Sequence, residues 1–450
     1  MARISTDLSQ GNVLSKLIRF ALPFLASNII QSLYNVADML IVGNFSGTES
    51  MSGVNIGGQV TFILTNTVIG LCMGGTVLIG QYMGAQNHAA LKRCTATLIT
   101  LLVILSVIIS AGMLIFKGPV LALIRTPPES YAESDRYLTV TVLGIFFIFA
   151  YNAFAGILRG MGNSKQPLYF VMAACVTNII LDLIFVGLFH WAAFGAALAT
   201  VISQALCVVL SVIYMVKNDF QFDFKPRSFR IYGDQLALIF KIGLPTCIQN
   251  SISSISFLFI TAIVNIVGGV SASAAVGAFG KFNNFAFMPT QAMSASVSAM
   301  SAQNFGANRV DRAVQACRIG VVCSVVITWT FFAFIMTFPE AILRLFGSDP
   351  QMIRDGVAYT RSFAWDLLIV PFVFCINGFL IGGGHTFFTM INSLLSSVIL
   401  RAPVCYIFGV TLGWGLKGVG MGAPAASAGV LLVIIAYLFT GRWKRNAVRH

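Results

Sequence analysis

Three polar side chains lie inside long apolar stretches, where they are costly unless they perform a task. Asp38 occupies the middle of YNVADMLIVG at 34–43, and Asn178 and Asp182 lie four residues apart in TNIILDLIFV at 177–186. Residues four apart share one face of a helix. An ionised Asp at the centre of a bilayer costs roughly 2.5–3.5 kcal/mol and usually faces a cavity or a partner. These positions therefore predict a functional site rather than packing.

A hydroxyl extends this polar set. Thr200 lies amid AAFGAALATVIS, where its side chain could project from an apolar helix. Two carboxylates, an amide and a hydroxyl are hard oxygen donors that suit a sodium ion or a proton. In an alternative interpretation, Asn178 and Thr200 only form hydrogen bonds with backbone groups. The four histidines are scattered and no C-x-x-C pair occurs, so neither a zinc site nor another bound cofactor is predicted.

The elements that must position these residues are membrane-spanning helices. Of 450 residues, 57% are hydrophobic and 10% are charged, and the mean hydropathy is +0.86, which excludes an ordinary soluble domain. Stretches of about 20 apolar residues are long enough to cross a bilayer. The sequence predicts about twelve such spans, at 15–41, 52–79, 91–116, 134–157, 167–189, 192–215, 236–267, 275–301, 313–337, 357–380, 387–411 and 418–440.

The distribution of basic residues predicts the orientation. With the amino terminus in the cytoplasm, 19 Lys and Arg residues fall in cytoplasmic segments and 7 in external loops. The positive-inside rule therefore predicts a multi-pass protein of the cell inner (plasma) membrane with both termini in the cytoplasm. The net charge of +13 is explained by these loops, so a nucleic-acid partner is not expected. The polar amino terminus leads directly into the first span, which does not favour a cleaved signal peptide.

The second half of the chain repeats the first at a constant spacing. This spacing, the number of positions from Leu22 to Leu244, is the repeat interval. The same interval pairs Pro23 with Pro245, Gln81 with Gln303, and Gly156 with Gly378. Gly195 pairs with Gly420, three positions beyond the interval, which predicts a three-residue length difference near the fifth and eleventh spans. Six spans per half give both halves the same orientation, as in transporters with parallel repeats. We expect an amino-terminal lobe at 1–216, a polar cytoplasmic linker at 217–235 and a carboxy-terminal lobe at 236–450.

The polar residues do not follow this repeat. Asp38, Asn178 and Asp182 have Ile260, Leu400 and Val404 as their partners. A packing requirement would tend to recur in both halves, whereas a charge present in one half indicates a task of that half. The ion chemistry is therefore predicted in the amino-terminal lobe alone.

Over nearly its whole length the chain resembles the multidrug and toxic compound extrusion (MATE) family, in its prokaryotic DinF/MepA-like form. The resemblance rests on twelve spans, the 6+6 repeat, Leu22-Pro23, Asp38-x-x-x-Val42-Gly43, and the Gln81-x-x-Gly84-Ala85 loop with its counterpart at Gln303. It implies an all-α fold of two six-helix bundles. It also implies an ion-coupling site in the amino-terminal lobe, formed by Asp38, Asn178, Asp182 and Thr200 with support from Tyr137. In addition, it implies a bend in the first helix at Pro23.

The carboxy-terminal lobe departs from some relatives. Those carry an acid on the seventh helix, but the span 236–267 contains none. Asp366 on the tenth helix is a partial substitute, but it does not lie at the family position, so the sequence does not support a second cation site in this lobe. Lys281 and Arg401 could line a cleft and set the charge of the substrate, or they could pair with Asp366 and extend along their helices towards the interface.

The resemblance implies an antiporter driven by H⁺ or Na⁺ that exports amphipathic organic cations by rocker-switch alternating access. The expected partners are small organic molecules and the lipid bilayer, and the expected state is a monomer. A flippase for lipid-linked saccharides is the closest alternative, because such transporters share the fold and because Lys281 and Arg401 would suit an anionic lipid. An intramembrane enzyme is disfavoured, since the spans contain no Ser/His/Asp or His/Glu set.

Overall fold

The regular structure of the chain is helical throughout the part described by the computed structural model. That part comprises residues 5–444 except 219, 221, 223 and 348, so three positions of the expected linker and both termini lie outside it. The all-α fold is confirmed. Its helices are α1 (Val13–Gly84), α2 (His88–Leu123), α3 (Pro128–Leu143), α4 (Ile145–Gly160), α5 (Lys165–Asp182), α6 (Ala192–Lys217), α7 (Gly233–Gly306), α8 (Val310–Thr337), α9 (Pro339–Arg344), α10 (Pro350–Ala364), α11 (Asp366–Gly382), α12 (Thr386–Leu394), α13 (Ala402–Tyr406), α14 (Gly415–Gly420) and α15 (Gly422–Phe439).

Wider π-helical turns continue three of these helices. They span Leu183–Leu188 after α5, Leu395–Arg401 after α12 and Ile407–Thr411 after α13. The segment Leu395–Arg401 lies in the eleventh predicted span, where the spacing between the two halves grows by three positions. A π turn takes up additional residues without ending a helix, which accounts for part of that length difference.

The helices α1 and α7 each contain two predicted spans. A continuous helix of 72 residues would extend for about 108 Å, far more than a hydrocarbon core of about 30 Å. Each helix is broken at one glycine with a left-handed backbone, Gly47 (φ 78°) in α1 and Gly269 (φ 57°) in α7. The sequence predicted loops at these places, at 42–51 and at 268–274. Glycine alone supplies the reversal, because its missing Cβ permits positive φ.

The described residues account for the predicted number of membrane crossings. Eight helices are long and apolar enough to span a membrane, and two bent pairs, α3 with α4 and α10 with α11, raise the number to ten. Counting the broken helices α1 and α7 twice brings the total to twelve. The bends of 50° and 45° lie at Gly144 and at Trp365–Asp366. Since Gly144 and Asp366 are separated by the repeat interval, the bend is a property of the repeat.

The chain forms two compact units. The first comprises Met1–Asp7 and Leu22–Gly243, and the second comprises Leu8–Ala21 and Leu244–His450. These bounds differ from the expected lobes, because residues 8–21 group with the second unit and the expected linker groups with the first. Two of the points at which the chain changes unit, at Leu22 and at Leu244, are separated by the repeat interval, and each begins a Leu-Pro pair.

Specific contacts hold residues 8–21 in the second unit. The Leu8 N–H donates a hydrogen bond to Gln303 Oε1 at 2.7 Å, and Ser296 Oγ donates to the Leu17 carbonyl at 3.0 Å. Leu8, Leu17 and Phe20 are buried in an apolar cluster of that unit. The Gln303 motif therefore serves to anchor the amino-terminal segment.

Candidate ion and substrate site

The first part of α1 presents two polar side chains one turn apart. Tyr34 and Asp38 are at i and i+4 and therefore lie on one helix face. Asp38 is 7% exposed although its helix is rich in apolar residues. The sequence identified Asp38 but missed Tyr34, which its spacing from Asp38 could have indicated.

The helix α5 supplies the second acid at its end. Asn178 and Asp182 are fully buried, and Asp182 is the last α-helical residue before the π-helical segment Leu183–Leu188. Local widening of a helix of this kind is frequent at functional sites, because it redirects side chains relative to the preceding turn. Asn178 lies one turn earlier on the same face as Asp182.

Two further helices complete the polar group. Thr200 of α6 is hydrogen-bonded to Tyr34, with 3.1 Å between the two hydroxyl oxygens. The hydroxyl of Tyr137, from α3, lies close to the side chain of Thr200. A Cβ on Gly57 would lie only 2.6 Å from Tyr137 Cδ1, so the glycine leaves the space in which the tyrosine ring packs.

The carboxyl groups of Asp38 and Asp182 are neighbours, and each influences the charge of the other. Neither oxygen of Asp182 nor Oδ1 of Asp38 has a hydrogen-bond donor among the described residues, and both side-chain polar atoms of Asn178 are likewise unpartnered. Two carboxylates are acceptors only, so they can form a hydrogen bond only when one carries a proton. A proton or a cation between them would satisfy the pair, and the oxygens present suit sodium.

A cavity of about 470 Å³ adjoins this pair within the first unit. Asp38, Tyr137 and Thr200 contribute to its wall, whereas Asn178 and Asp182 do not. Asp38 is therefore shared between the cavity and the buried acid pair. The remaining wall includes apolar side chains such as Met39, Phe62 and Ile69.

The second unit contains a different arrangement. Asp366 is 5% exposed, its carboxylate contacts the Ser427 hydroxyl, and Arg401 lies near enough to attract it. The guanidinium of Arg401 also lies 5.8 Å from the centre of the Phe363 ring. Lys281 is exposed and forms no ion pair with Asp366 within the described ranges. Among the described residues, Arg401 is therefore a charged neighbour of Asp366 without an ion pair within 4 Å, and Lys281 forms no ion pair with Asp366 either.

Pro23 lies inside α1, where the backbone keeps helical dihedral angles. Ser27 Oγ donates a hydrogen bond to the Pro23 carbonyl at 2.9 Å. A bend at Pro23 stays a prediction. Within the described residues, no three His, Cys, Asp or Glu side chains are grouped closely enough to hold a metal ion among themselves.

Comparison with known proteins supports the family resemblance. The MatE family model matches residues 23–184 and again 245–407, two segments whose starts are separated by the repeat interval. The probable multidrug resistance proteins YpnP and YoeA of Bacillus subtilis are 27% and 28% identical, over 97% and 99% of this chain and 97% of their own lengths. The multidrug export protein MepA of Staphylococcus aureus is 22% identical over 96% of this chain and 95% of its own length.

Solved structures show the same fold. A MATE structure in the bent conformation aligns with a TM-score of 0.91 at 23% identity, covering 97% of both chains. A MATE structure in the straight conformation aligns with a TM-score of 0.89 at 24% identity, covering 97% of this chain and 98% of the other. The predicted architecture of two repeated six-helix halves is confirmed by these alignments and by the two family-model segments.

Proposed function

The chain belongs to the MatE family, and from this premise we propose that it is an ion-coupled antiporter that exports amphipathic, cationic organic compounds. Its relatives YpnP, YoeA and MepA are named for multidrug resistance or export, which supports the assignment to efflux. We assign it to the plasma membrane with both termini in the cytoplasm, in line with the distribution of its basic residues.

The observation that supports coupling is the shared position of Asp38. It lines the cavity in the first unit and also neighbours the carboxyl group of Asp182. A cationic substrate in the cavity would be attracted to an ionised Asp38. A sodium ion or a proton held by the acid pair would cancel that charge, so substrate and ion favour different states of the same residue.

Each group has a defined part in this mechanism. Asp38 and Asp182 hold the coupling ion, and Asn178 and Thr200 supply neutral oxygen ligands beside them. Tyr34 and Tyr137 fix the orientation of Thr200 through their hydroxyl contacts. Ion binding would remove charge from the cavity wall and change the packing of α1. This change in packing would accompany rocker-switch alternating access of the two halves.

The energy of one ion is sufficient for transport. One charge crossing 100 mV yields about 2.3 kcal/mol, enough for roughly fifty-fold accumulation of a neutral substrate. A singly charged substrate exchanged for one ion moves no net charge, so the concentration gradient of the ion drives its export. Since two acids face each other, one proton or one sodium ion per cycle is the simplest stoichiometry.

The test is efflux of a cationic dye from proteoliposomes with a proton gradient and a sodium gradient imposed separately. Efflux driven by at least one gradient and absent without either supports coupled antiport. Dye efflux that does not depend on either gradient would contradict coupled antiport. Transport of a labelled lipid-linked saccharide in the same vesicles would instead indicate a flippase.

A further inference from the structure

The cavity of the first unit is unusually rich in carboxamide side chains. On the first part of α1, Gln31 and Asn35 lie one turn apart and line it. On the second part of the same helix, Asn55, Gln59 and Asn66 do so at spacings of four and seven residues, which place them on one face. The helices α4 and α6 contribute Asn152 and Gln204.

The repeated helix architecture does not require amides at these positions. In the second half, the positions that correspond to the seven amides carry no Asn or Gln, being Ser253, Phe257, Gly277, Lys281, Met288, Phe374 and Gly429. The same helix positions are thus compatible with apolar, small and charged side chains. At these seven positions the amides belong to the first half alone.

The helix backbone does not account for most of these amides either. The hydroxyls of Thr61 and Thr65, in the same wall, donate hydrogen bonds to carbonyls one turn earlier, at 3.0 and 2.8 Å. Among the described residues, the side chains of Gln31, Asn35 and Asn66 form no hydrogen bond, and the buried Oε1 of Gln204 is unpartnered. Asn152 donates to the Ile148 carbonyl at 2.8 Å, and Gln59 donates to Asn55 Oδ1 at 3.4 Å. An amide offers both donors and acceptors, so such side chains can bind neutral hydroxyl, ether and amide groups.

The charge on the wall is small by comparison. Of the described residues that line the cavity, Asp38 is the one carboxylic acid, and Lys and Arg are absent from the lining. Flat surfaces are available from aromatic residues, namely Tyr34, Phe62 and Tyr151. A flat apolar group could pack on these rings while its polar substituents contact the amides.

We infer that the cavity binds a polyhydroxylated amphiphile, such as a glycosylated aromatic compound, that carries at most one positive charge. This inference rests on the proposed function and specifies the substrate class. The amides recognise the neutral hydroxyl groups, and Asp38 accepts the single charge. A lipophilic cation without hydrogen-bonding groups leaves the amides unpaired and binds more weakly, because burying unpaired polar groups is unfavourable.

The test compares equilibrium binding of two probes to purified full-length protein, without any ion gradient. Doxorubicin has a planar aromatic part, several hydroxyls and one amino-sugar charge, whereas tetraphenylphosphonium has one charge and no hydrogen-bonding group. We expect Gln59→Leu and Gln204→Leu each to weaken doxorubicin binding about ten-fold, the size of one hydrogen-bonded recognition contact. Tetraphenylphosphonium binding should become tighter or stay within about two-fold of wild type, because this probe forms no hydrogen bond with the glutamines.

Asn44→Leu is the matched control. Asn44 lies on α1, is exposed, donates a hydrogen bond to the Leu40 carbonyl at 2.8 Å, and does not line the cavity. It should leave the binding of both probes unchanged. Equal losses for the two probes, or no loss of doxorubicin binding in either glutamine variant, would overturn the inference. Gradient-driven dye efflux by the wild type, measured separately, decides the proposed function, so the two failures are distinguishable.

Discussion

Replacing Asp38 by Asn should abolish coupling and yet stabilise the protein. The substitution keeps the shape of the side chain but fixes it in a neutral form that cannot release a proton or balance a cation. In the wild type, Asp182 has no hydrogen-bond donor at either oxygen among the described residues. The new amide group could donate to Asp182, which the neighbouring carboxylate cannot do unless it is protonated.

Both effects have an expected size. A hydrogen bond to a charged group contributes about 1.5–3 kcal/mol, so the free energy of unfolding should rise by up to that amount. A singly charged dye exchanged for one ion moves no net charge, so a ten-fold ion gradient, equivalent to about 1.4 kcal/mol, supports about ten-fold accumulation of the dye. Loss of coupling should reduce this accumulation ratio to about one. A gain in stability with a loss of activity is the usual pattern when a strained functional residue is removed.

The assay measures two quantities on the same preparation. Gradient-driven accumulation of a cationic dye is recorded in liposomes at matched reconstitution, and the thermal unfolding midpoint is recorded in detergent. Asp234→Asn is the control, since Asp234 is about half exposed and pairs with Arg93 at 2.7 Å, a surface contact worth about 0–1 kcal/mol. Undiminished accumulation by the Asp38→Asn protein would refute the coupling role, and a clear drop in its midpoint would refute the account of the acid pair.

Three further predictions test other parts of the site. Gly57→Ala should reduce efflux, because its Cβ would lie 2.6 Å from the Tyr137 ring, whereas a Cβ at Gly112, which does not line the cavity, would meet no atom within 4 Å and Gly112→Ala should keep wild-type efflux; equal efflux by the two would contradict this packing argument. Asp366→Asn should lower efflux less than a change in the acid pair, and the opposite ranking would place the ion site in the other half. Pro23→Ala should slow the initial rate of efflux more than it lowers the unfolding midpoint, and full activity at normal expression would show that no bend at this residue is required.

The sequence predicted the number of spans better than their shape. Residues 167–189 and 192–215 were predicted closely, because continuous apolar runs report the length that crosses a bilayer. Hydropathy carries no information about direction within a run, so the bends near Gly144 and Trp365 were not predicted. The sequence predicted a loop at 42–51, and the tight break at the single residue Gly47 was missed, since hydropathy does not report the backbone angles of one glycine.

The site was predicted in part for a related reason. Acids stand out in an apolar helix because their transfer into a bilayer is costly, so Asp38 and Asp182 were found from sequence alone. Tyr34 was missed because a tyrosine is common in membrane helices and its spacing from Asp38 is informative only once the helix is known. The amides of the cavity were missed because they are spread over α1, α4 and α6, and only the fold brings them to one wall.

The repeat separates structural requirements from chemical ones. Features shared by both halves concern the backbone, namely the breaks at Gly47 and Gly269 and the bends at Gly144 and Asp366. The two members of each pair are separated by the repeat interval. The side chains that carry chemistry, in contrast, differ between the halves, so the backbone path can be kept while the polar residues change.

Asp366 shows how a buried acid can serve the fold alone. It occupies the bend position and the first turn of α11, where a negative charge interacts favourably with the helix dipole. This local role, together with its contact to Ser427 and the attraction of Arg401, explains a buried acid in the second half without a coupling ion. In the first half, both oxygens of Asp182 are unpartnered among the described residues, and its charged neighbour is a second carboxyl group rather than an arginine. This difference is the physical reason to place ion coupling there.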